Sequence, residues 1–214
     1  MAPLLLFNRK RGELMNNPNI ADRLKSQLQF LLEADKLKSI ERVTILSDKS
    51  RRESTAEHSW HIALIAMTLY EYAAVDNIDL NHAIHMLLVH DLVEIYAGDT
   101  PAFGLTGHET KEAREQEAAD ELFAILPEEQ GAEYRSLWEE FEAAETPAAR
   151  YAVAVDQLQP LLINHMTDGH TWVKQSVSVE QVYKRMEPVK VELPTIWPFV
   201  EDVIQKSLKK GFLR

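Results

Sequence analysis

The 214-residue sequence contains no cysteine. This absence excludes a disulfide framework, zinc sites with thiolate ligands, iron–sulfur clusters and a cysteine nucleophile. It fits a protein that works in a reducing compartment, so we expect a cytoplasmic location. A chain of this length buries enough apolar surface to fold without covalent cross-links.

Glycine and long apolar runs are also scarce. The chain has 7 glycines and no long alternating stretch of the kind that builds a large sheet. No apolar run approaches the roughly 20 residues that span a bilayer, so we expect no membrane segment. Apolar residues instead recur at helical spacings of three and four. We therefore predict an all-α fold, a single-domain helical bundle over residues 1–214.

An excess of basic residues is missing as well. The formal net charge is −11 and the isoelectric point is near 5.2, which argues against binding to nucleic-acid polymers or anionic lipid surfaces. Residues 108–147 hold 13 acidic and 3 basic residues, and the rest of the chain is nearly balanced. We expect the acid-rich helices of 109–145 to form a solvated face. Any affinity for phosphate must then be local.

The helices can be placed by periodicity and by helix-ending residues. The first, Ile20 to Leu37, has an apolar stripe that we expect to be core, with Leu31 and Leu32 in it. Residues 40–54 are predicted to be irregular, and Gly169 to Val177 is predicted to be a loop. Further helices are predicted over Thr55–Ala74, Leu80–Ala97, 109–126, 128–144, 147–167, 178–187 and 196–210.

Ionisable residues interrupt two of these apolar helices. His90 and Asp91 lie among Ile, Leu, Met and Val, and Glu94 follows one turn later on the face of His90. Asp156 stands alone in an apolar stretch of a later helix. Burying a carboxylate costs several kcal/mol unless it is paired or bound to a metal. For Asp156 a salt bridge to Arg150 or Arg52 is an equal alternative.

Imidazole and carboxylate ligands without sulfur suit one divalent ion such as Mn, Co, Fe, Zn or Mg. A second histidine, His58, lies in the helix that begins at Thr55. Two histidines and two aspartates on three helices leave coordination positions open for water and substrate, as a metal hydrolase requires. Glu94 and Asp99 would then be spare carboxylates for proton transfer or water positioning.

The ordered set His58, His90-Asp91 with Glu94, and a distant Asp156 resembles the HD-domain metal-dependent phosphohydrolase superfamily. The segments Ala56–Ser59 and His90–Asp99 look most like its bacterial 5′-deoxynucleotidase branch. The resemblance covers about residues 25–165. It implies an HD-type helical fold in which the metal ligands are His58, His90, Asp91 and Asp156.

The resemblance also implies roles around the metal. It assigns catalysis to Glu94 and Asp91, and contact with the nucleotide to Asp99 and Thr100. In that branch, an arginine that precedes the helix carrying the first metal ligand orients the phosphate. Arg42 matches this position best, and Arg51 or Arg52 could take the role instead. A second metal would need His61, His82 or His85 as further ligands.

These readings predict a metal-dependent phosphomonoesterase of the 5′-nucleotidase type. Its partner would be a small phosphorylated molecule, a (deoxy)nucleoside 5′-monophosphate, cleaved to nucleoside and phosphate. The resemblance leaves a homodimer open. One alternative is a phosphodiesterase or nucleoside polyphosphate hydrolase on the same site. Another is a non-catalytic binding module in which the metal only holds three helices together.

Overall fold

The computed structural model describes residues 20–99 and 108–214, with the side chains of 108–110 left aside. Within these ranges the chain forms eleven α-helices and one two-stranded sheet. The helices are α1 (Ile20–Ala34), α2 (Thr55–Leu69), α3 (Leu80–Val89), α4 (Glu94–Ala97), α5 (His108–Phe123), α6 (Glu128–Ala143), α7 (Pro147–Met166), α8 (His170–Gln175), α9 (Val179–Arg185), α10 (Glu187–Glu192) and α11 (Trp197–Lys209). The strands are β1 (Glu41–Ile45) and β2 (Arg52–Ser54). The predicted all-α class is confirmed.

Helix α7 is the centre of the fold. It begins at an N-cap threonine, Thr146, followed by Pro147, and it packs against α2, α3, α6 and α10. The Tyr151 hydroxyl on α7 is buried and donates a hydrogen bond of 2.7 Å to the carbonyl of Ala66 on α2. This helix therefore holds Asp156 at the middle of the molecule. No helix in the described ranges is long and apolar enough to cross a membrane.

Two segments predicted to be irregular are ordered. Residues 41–54 form an antiparallel hairpin in which Glu41 pairs with Ser54 and Ile45 with Arg52. The predicted loop at 169–177 contains α8. Both predictions were wrong because the segments are short, and tertiary packing outweighs weak local patterns in short elements. The hairpin matters for the site, since β1 carries Arg42.

The predicted helix Leu80–Ala97 is interrupted where the charged residues lie. Helix α3 ends at Val89, a 3₁₀ turn covers His90–Val93, and α4 ends before Gly98, whose φ is +75°. Tighter winding within a helix often marks a functional position. Here it changes the direction in which the His90 and Asp91 side chains project.

The apolar stripe of α1 does not belong to the core. Leu31 and Leu32 are 62% and 75% exposed, and the buried residue of this helix is Phe30, which contacts the ring of Tyr134. The expectation that the leucine pair is core was wrong. Periodicity shows that a helix has an apolar face, but not whether another described element covers it.

Candidate metal and phosphate site

Three donor atoms converge from three elements. The Nε2 atoms of His58 and His90 and a carboxylate oxygen of Asp156 all lie within 4.8 Å of one another. His58 Nε2 is 2.8 Å from Asp156 Oδ1, and His90 Nε2 is 3.8 Å from the same oxygen. The structure thus brings together three of the four ligands predicted from sequence.

The other ring nitrogen of each histidine is held by a hydrogen bond. His58 Nδ1 lies 3.2 Å from Gln159 Oε1, and His90 Nδ1 lies 3.0 Å from the carbonyl oxygen of Leu87. Both partners are acceptors, so each Nδ1 carries the proton and donates. With Nδ1 held in this way, Nε2 is the nitrogen that each ring presents to a metal, as in ligating histidines of other proteins.

Asp91, the fourth predicted ligand, lies beside this cluster. Its Oδ1 is 3.0 Å from His90 Nε2, and its Oδ2 is 3.8 Å from His58 Nε2 and 3.1 Å from Arg42 Nη1. Burial acts to raise the pKa of Asp91, but the neighbouring His90 and Arg42 outweigh it and lower the pKa to about 2. Asp91 is therefore a carboxylate that faces the two histidines and the arginine together.

The donor set fits a divalent cation. Burial and the nearby Arg42 lower the pKa of His58, which keeps this imidazole neutral. For Asp156, burial opposes ionisation, but the adjacent His58 and His90 hold its pKa well below the usual range. Burial lowers the pKa of His90, but Asp91 and Asp156 outweigh it and raise the pKa, so this imidazole gives up a proton when it binds a metal. Neutral imidazole and ionised carboxylate are the forms that bind borderline and hard divalent ions.

A buried network supports the cluster from behind. The Gln159 Nε2 donates a hydrogen bond of 2.7 Å to Glu53 Oε1, and Glu53 Oε2 is 3.9 Å from Arg42 Nε. Burial raises the pKa of Glu53 to about 7, although Arg42 opposes the shift. Arg42 Nε and Glu53 Oε2 are buried without a hydrogen-bond partner among the described residues. Glu53 thus orients the glutamine that holds His58, and its negative charge lies close to Arg42.

Glu94 and Asp99 face the same space. Glu94 is buried, and Thr55 Oγ1 donates a hydrogen bond of 2.8 Å to its Oε2. Burial and the negative charge of Asp91 raise the pKa of Glu94 to about 9. Burial also raises the pKa of Asp99, which makes a hydrogen bond with Glu94. The pair can therefore hold a proton at neutral pH, which a simple ligand set does not require.

One cavity of about 370 Å³, a volume that suits a small ligand, is lined by Arg42, His90, Asp91, Glu94, Asp99 and Asp156, whereas His58, Thr55, Glu53 and Gln159 are not part of its lining. Its charged lining comprises three basic and six acidic side chains, a formal charge of −3: Arg42, Lys111, Arg185, Asp91, Glu94, Asp99, Glu115, Glu142 and Asp156. Glu115, on the acid-rich α5, is buried and lines the cavity. Among the described side chains, most acidic residues of α5 and α6 are exposed, as expected for a solvated face, and Glu115 is the buried exception.

Several predicted positions lie elsewhere. Arg52 is exposed and faces Glu41 at 3.9 Å on the far side of the hairpin, away from the cavity lining. Arg51 pairs with Glu57 at the start of α2. Thr100 lies outside the described residues. The salt-bridge alternative for Asp156 is also not seen, since Arg150 pairs with Glu192.

The three histidines considered for a second metal do not join the cluster. His61 Nδ1 accepts a hydrogen bond of 3.3 Å from Gln159, and His82 pairs with Glu140 at 2.7 Å. Within the described ranges, the group of potential ligands contains His58, His90 and Asp156 and neither His61, His82 nor His85.

Sequence reasoning missed five residues of the site: Thr55, Glu53, Lys111, Gln159 and Arg185. Gln159 lies three residues after Asp156, so its presence on the same helix face was detectable. Arg185 lies 29 residues beyond Asp156 on a separate helix, and only the tertiary fold brings it to the cavity.

A family model described as "HD domain" matches residues 34–197 of the chain. The chain belongs to the HD domain family. The match contains the hairpin, every ligand candidate and Arg185, so the resemblance inferred from the ordered motif is confirmed at the level of the family.

Known proteins in this family resemble the chain to different degrees. A crystal structure described as a predicted metal-dependent phosphohydrolase from Magnetospirillum magnetotacticum MS-1 is 44% identical, with a TM-score of 0.85 over 89% of this chain and 95% of that one. Human 5′-deoxynucleotidase HDDC2 is 30% identical over 139 residues, which is 64% of this chain and 66% of the human protein. The dATP triphosphohydrolase of Cyanophage S-2L is 33% identical over 138 residues, covering 63% and 70% respectively. The chain thus matches just under two thirds of the human protein's length.

Proposed function

We propose that this HD domain protein is a metal-dependent phosphohydrolase. Its substrate would be a (deoxy)nucleoside 5′-monophosphate, and its products the nucleoside and inorganic phosphate. One observation carries the proposal: a metal-donor cluster, a buried arginine and a protonatable carboxylate all face one cavity. Its similarity to 5′-deoxynucleotidases and to a metal-dependent phosphohydrolase supports the same class.

The metal would be held by His58, His90 and Asp156, with Asp91 as the fourth ligand. When bound, a divalent ion in such a site acidifies a water molecule and polarises the phosphoryl group. Arg42 is held next to Asp91 by an ion pair of 3.1 Å, and its guanidinium would offer charged hydrogen bonds to the phosphate oxygens.

Hydrolysis forms a bond between water oxygen and phosphorus and breaks the bond between phosphorus and the 5′ oxygen. The leaving 5′ oxygen must gain a proton. We assign this role to Glu94, because burial and the negative charge of Asp91 raise its pKa and so favour the protonated carboxyl. The water proton can then return to Glu94 through Asp99, with which Glu94 shares a hydrogen bond.

A second candidate is hydrolysis of a nucleoside triphosphate, which the similarity to the cyanophage dATP triphosphohydrolase favours. The cavity charge argues for the monophosphate. Its lining carries a formal charge of −3, and each additional substrate phosphate brings further negative charge into a space of about 370 Å³. A module in which the metal only joins helices would need neither Arg42 nor Glu94 in the cavity.

The test is a phosphate-release panel with Mn²⁺, Co²⁺, Mg²⁺ and Zn²⁺ on ribo- and deoxynucleoside mono- and triphosphates and on a cyclic dinucleotide. We expect inorganic phosphate from the monophosphates. Asp91→Ala should lose metal and activity while remaining folded. Asp202→Ala is the matched control, because Asp202 lies on α11 and pairs with Lys206 at the surface. Full metal content and full turnover in Asp91→Ala would refute the proposal, and tripolyphosphate release from dATP would favour the second candidate.

A further inference from the structure

Helix α9 turns one face toward the cavity. Val182, Arg185 and Met186 all line it, and their spacing of three and four residues places them on one side of the helix. Val182 and Met186 are each 2% exposed, so the helix is anchored by packing. Its start is fixed by a capping box between Ser178 and Gln181. Arg185 therefore projects from a fixed support into the cavity.

The three basic side chains of the cavity differ in their partners. Arg42 pairs with Asp91 at 3.1 Å, and Lys111 pairs with Glu115 at 3.3 Å. Arg185 has no ion pair and no side-chain hydrogen bond with any residue in the described ranges. The cavity thus contains one guanidinium whose five N–H donors have no protein acceptor there.

The electrostatic surroundings locate Arg185 near the donor cluster. Burial lowers the pKa of Arg185, Asp156 opposes this, and the positive charge of Arg42 adds to it. The guanidinium nevertheless stays charged, because an arginine remains protonated at all physiological pH values. A partly buried charge without a partner is unfavourable. This cost is removed when an anion enters the cavity.

We propose that Arg185 is a phosphate-binding residue, contributed by α9 from outside the motif that carries the metal ligands. The proposal rests on the proposed function for the identity of the anion. A guanidinium offers two parallel N–H donors that match two oxygens of a phosphate group. Arg42 has part of its donor capacity committed to Asp91, whereas no residue in the described ranges takes up a donor of Arg185.

Arg185→Met tests the proposal, with inorganic phosphate as the probe and the Mn²⁺-loaded protein as the receptor. Charged hydrogen bonds of this kind correspond to a loss of about 10- to 100-fold in affinity when they are removed. We expect the Kd for phosphate, measured by calorimetry, and the KM for a nucleoside monophosphate to rise by this factor. Inhibition by the free nucleoside should not change, since the nucleoside carries no phosphate.

Two further variants make each outcome decisive. Lys184→Met removes one exposed positive charge from the same helix and should leave phosphate affinity unchanged. Arg185→Lys keeps the charge but loses the fork of donors, so its Kd should lie between those of wild type and Arg185→Met. The melting temperature of Arg185→Met should not fall, because Arg185 has no protein partner among the described residues to lose.

A phosphate Kd for folded Arg185→Met within about twofold of wild type would overturn the proposal, since this is the scatter of surface substitutions. A marked fall in melting temperature would also overturn it, by showing that the guanidinium has an internal structural role. Phosphate binding needs no turnover. If the protein bound phosphate through Arg185 but cleaved no nucleotide, the proposed function would fail and this assignment would stand.

Discussion

Gln159 offers the sharpest test of how the fold prepares the site. This residue is fully buried on α7, where its Oε1 accepts from His58 Nδ1 at 3.2 Å and its Nε2 donates to Glu53 at 2.7 Å. The acceptor Glu53 therefore fixes the orientation of the amide. The amide in turn fixes which nitrogen of His58 carries the proton, and so which one is free for the metal.

Gln159→Leu removes both of these hydrogen bonds, and the longer one of 3.3 Å to His61 Nδ1, with little change in volume. Two buried polar groups, on His58 and Glu53, lose a partner, and each such loss costs about 1–3 kcal/mol. We expect the free energy of unfolding of the metal-free protein to fall by about 2–6 kcal/mol by the same reasoning. We also expect metal affinity to fall by about 10- to 100-fold, the usual effect of losing a group that orients a ligating histidine.

Urea denaturation in the presence of a chelator gives the first quantity, and competition with a chromophoric chelator gives the second. Gln157→Leu is the matched control: it lies on the same helix, two residues earlier, and its Oε1 has no hydrogen-bond partner among the described residues. We expect its metal affinity to stay within about twofold of wild type. If Gln159→Leu bound metal as tightly as Gln157→Leu, the claim that the glutamine selects the histidine tautomer would be refuted.

Three other comparisons of variants test separate parts of the structure. The pKa of Glu53 is raised to about 7, so the folded state holds an extra proton between about pH 4.5 and 7. The free energy of unfolding of the metal-free wild type should therefore fall across that window by up to about 3 kcal/mol relative to that of Glu53→Gln. Urea denaturation at pH 5 and 8 measures this, and an equal change in the free energy of unfolding of both proteins between the two pH values would contradict it. Arg42→Gln should lower kcat/KM by about 100-fold, whereas Arg52→Gln should leave it unchanged. Equal losses in the two variants would show that the hairpin does not place Arg42 in the cavity and Arg52 outside it. Leu31→Ala should cost well under about 1 kcal/mol, whereas Leu158→Ala should cost about 2–5 kcal/mol, and equal shifts in denaturation midpoint would show that α1 has a covered face.

The metal cluster was predictable because its signal is local. A histidine and a carboxylate within an apolar helix conflict with burial unless something binds them, and this conflict is visible in the sequence at His90, Asp91 and Asp156. Helix positions were predictable for the same reason, since caps and prolines act within a few residues. The start of α2 at Thr55 agrees with its prediction, and the structure shows a capping box there between Ser54 and Glu57.

What depends on packing between distant segments could not be predicted. The choice between Arg42 and Arg52 follows from the strand pairing of a short hairpin, which the sequence pattern did not reveal. Arg185 reaches the cavity because Val182 and Met186 anchor α9, and nothing in the local sequence marks that destination. Helix α1 is a further example, because periodicity identified its apolar leucines but could not show that no other described element packs against them.

The charge of the cavity bears on the proposed preference for a phosphate monoester. The lining carries a formal charge of −3, and a divalent ion bound to the donor cluster would reduce it to −1. Burial raises the pKa values of Glu94, Asp99, Glu115 and Glu142, so protonation can remove further negative charge as an anion enters. A phosphate monoester dianion can be matched by the metal, Arg42 and Arg185. A triphosphate would bring roughly two more negative charges toward the carboxylates of the same lining, where no additional unpaired cation among the described residues is available to offset them.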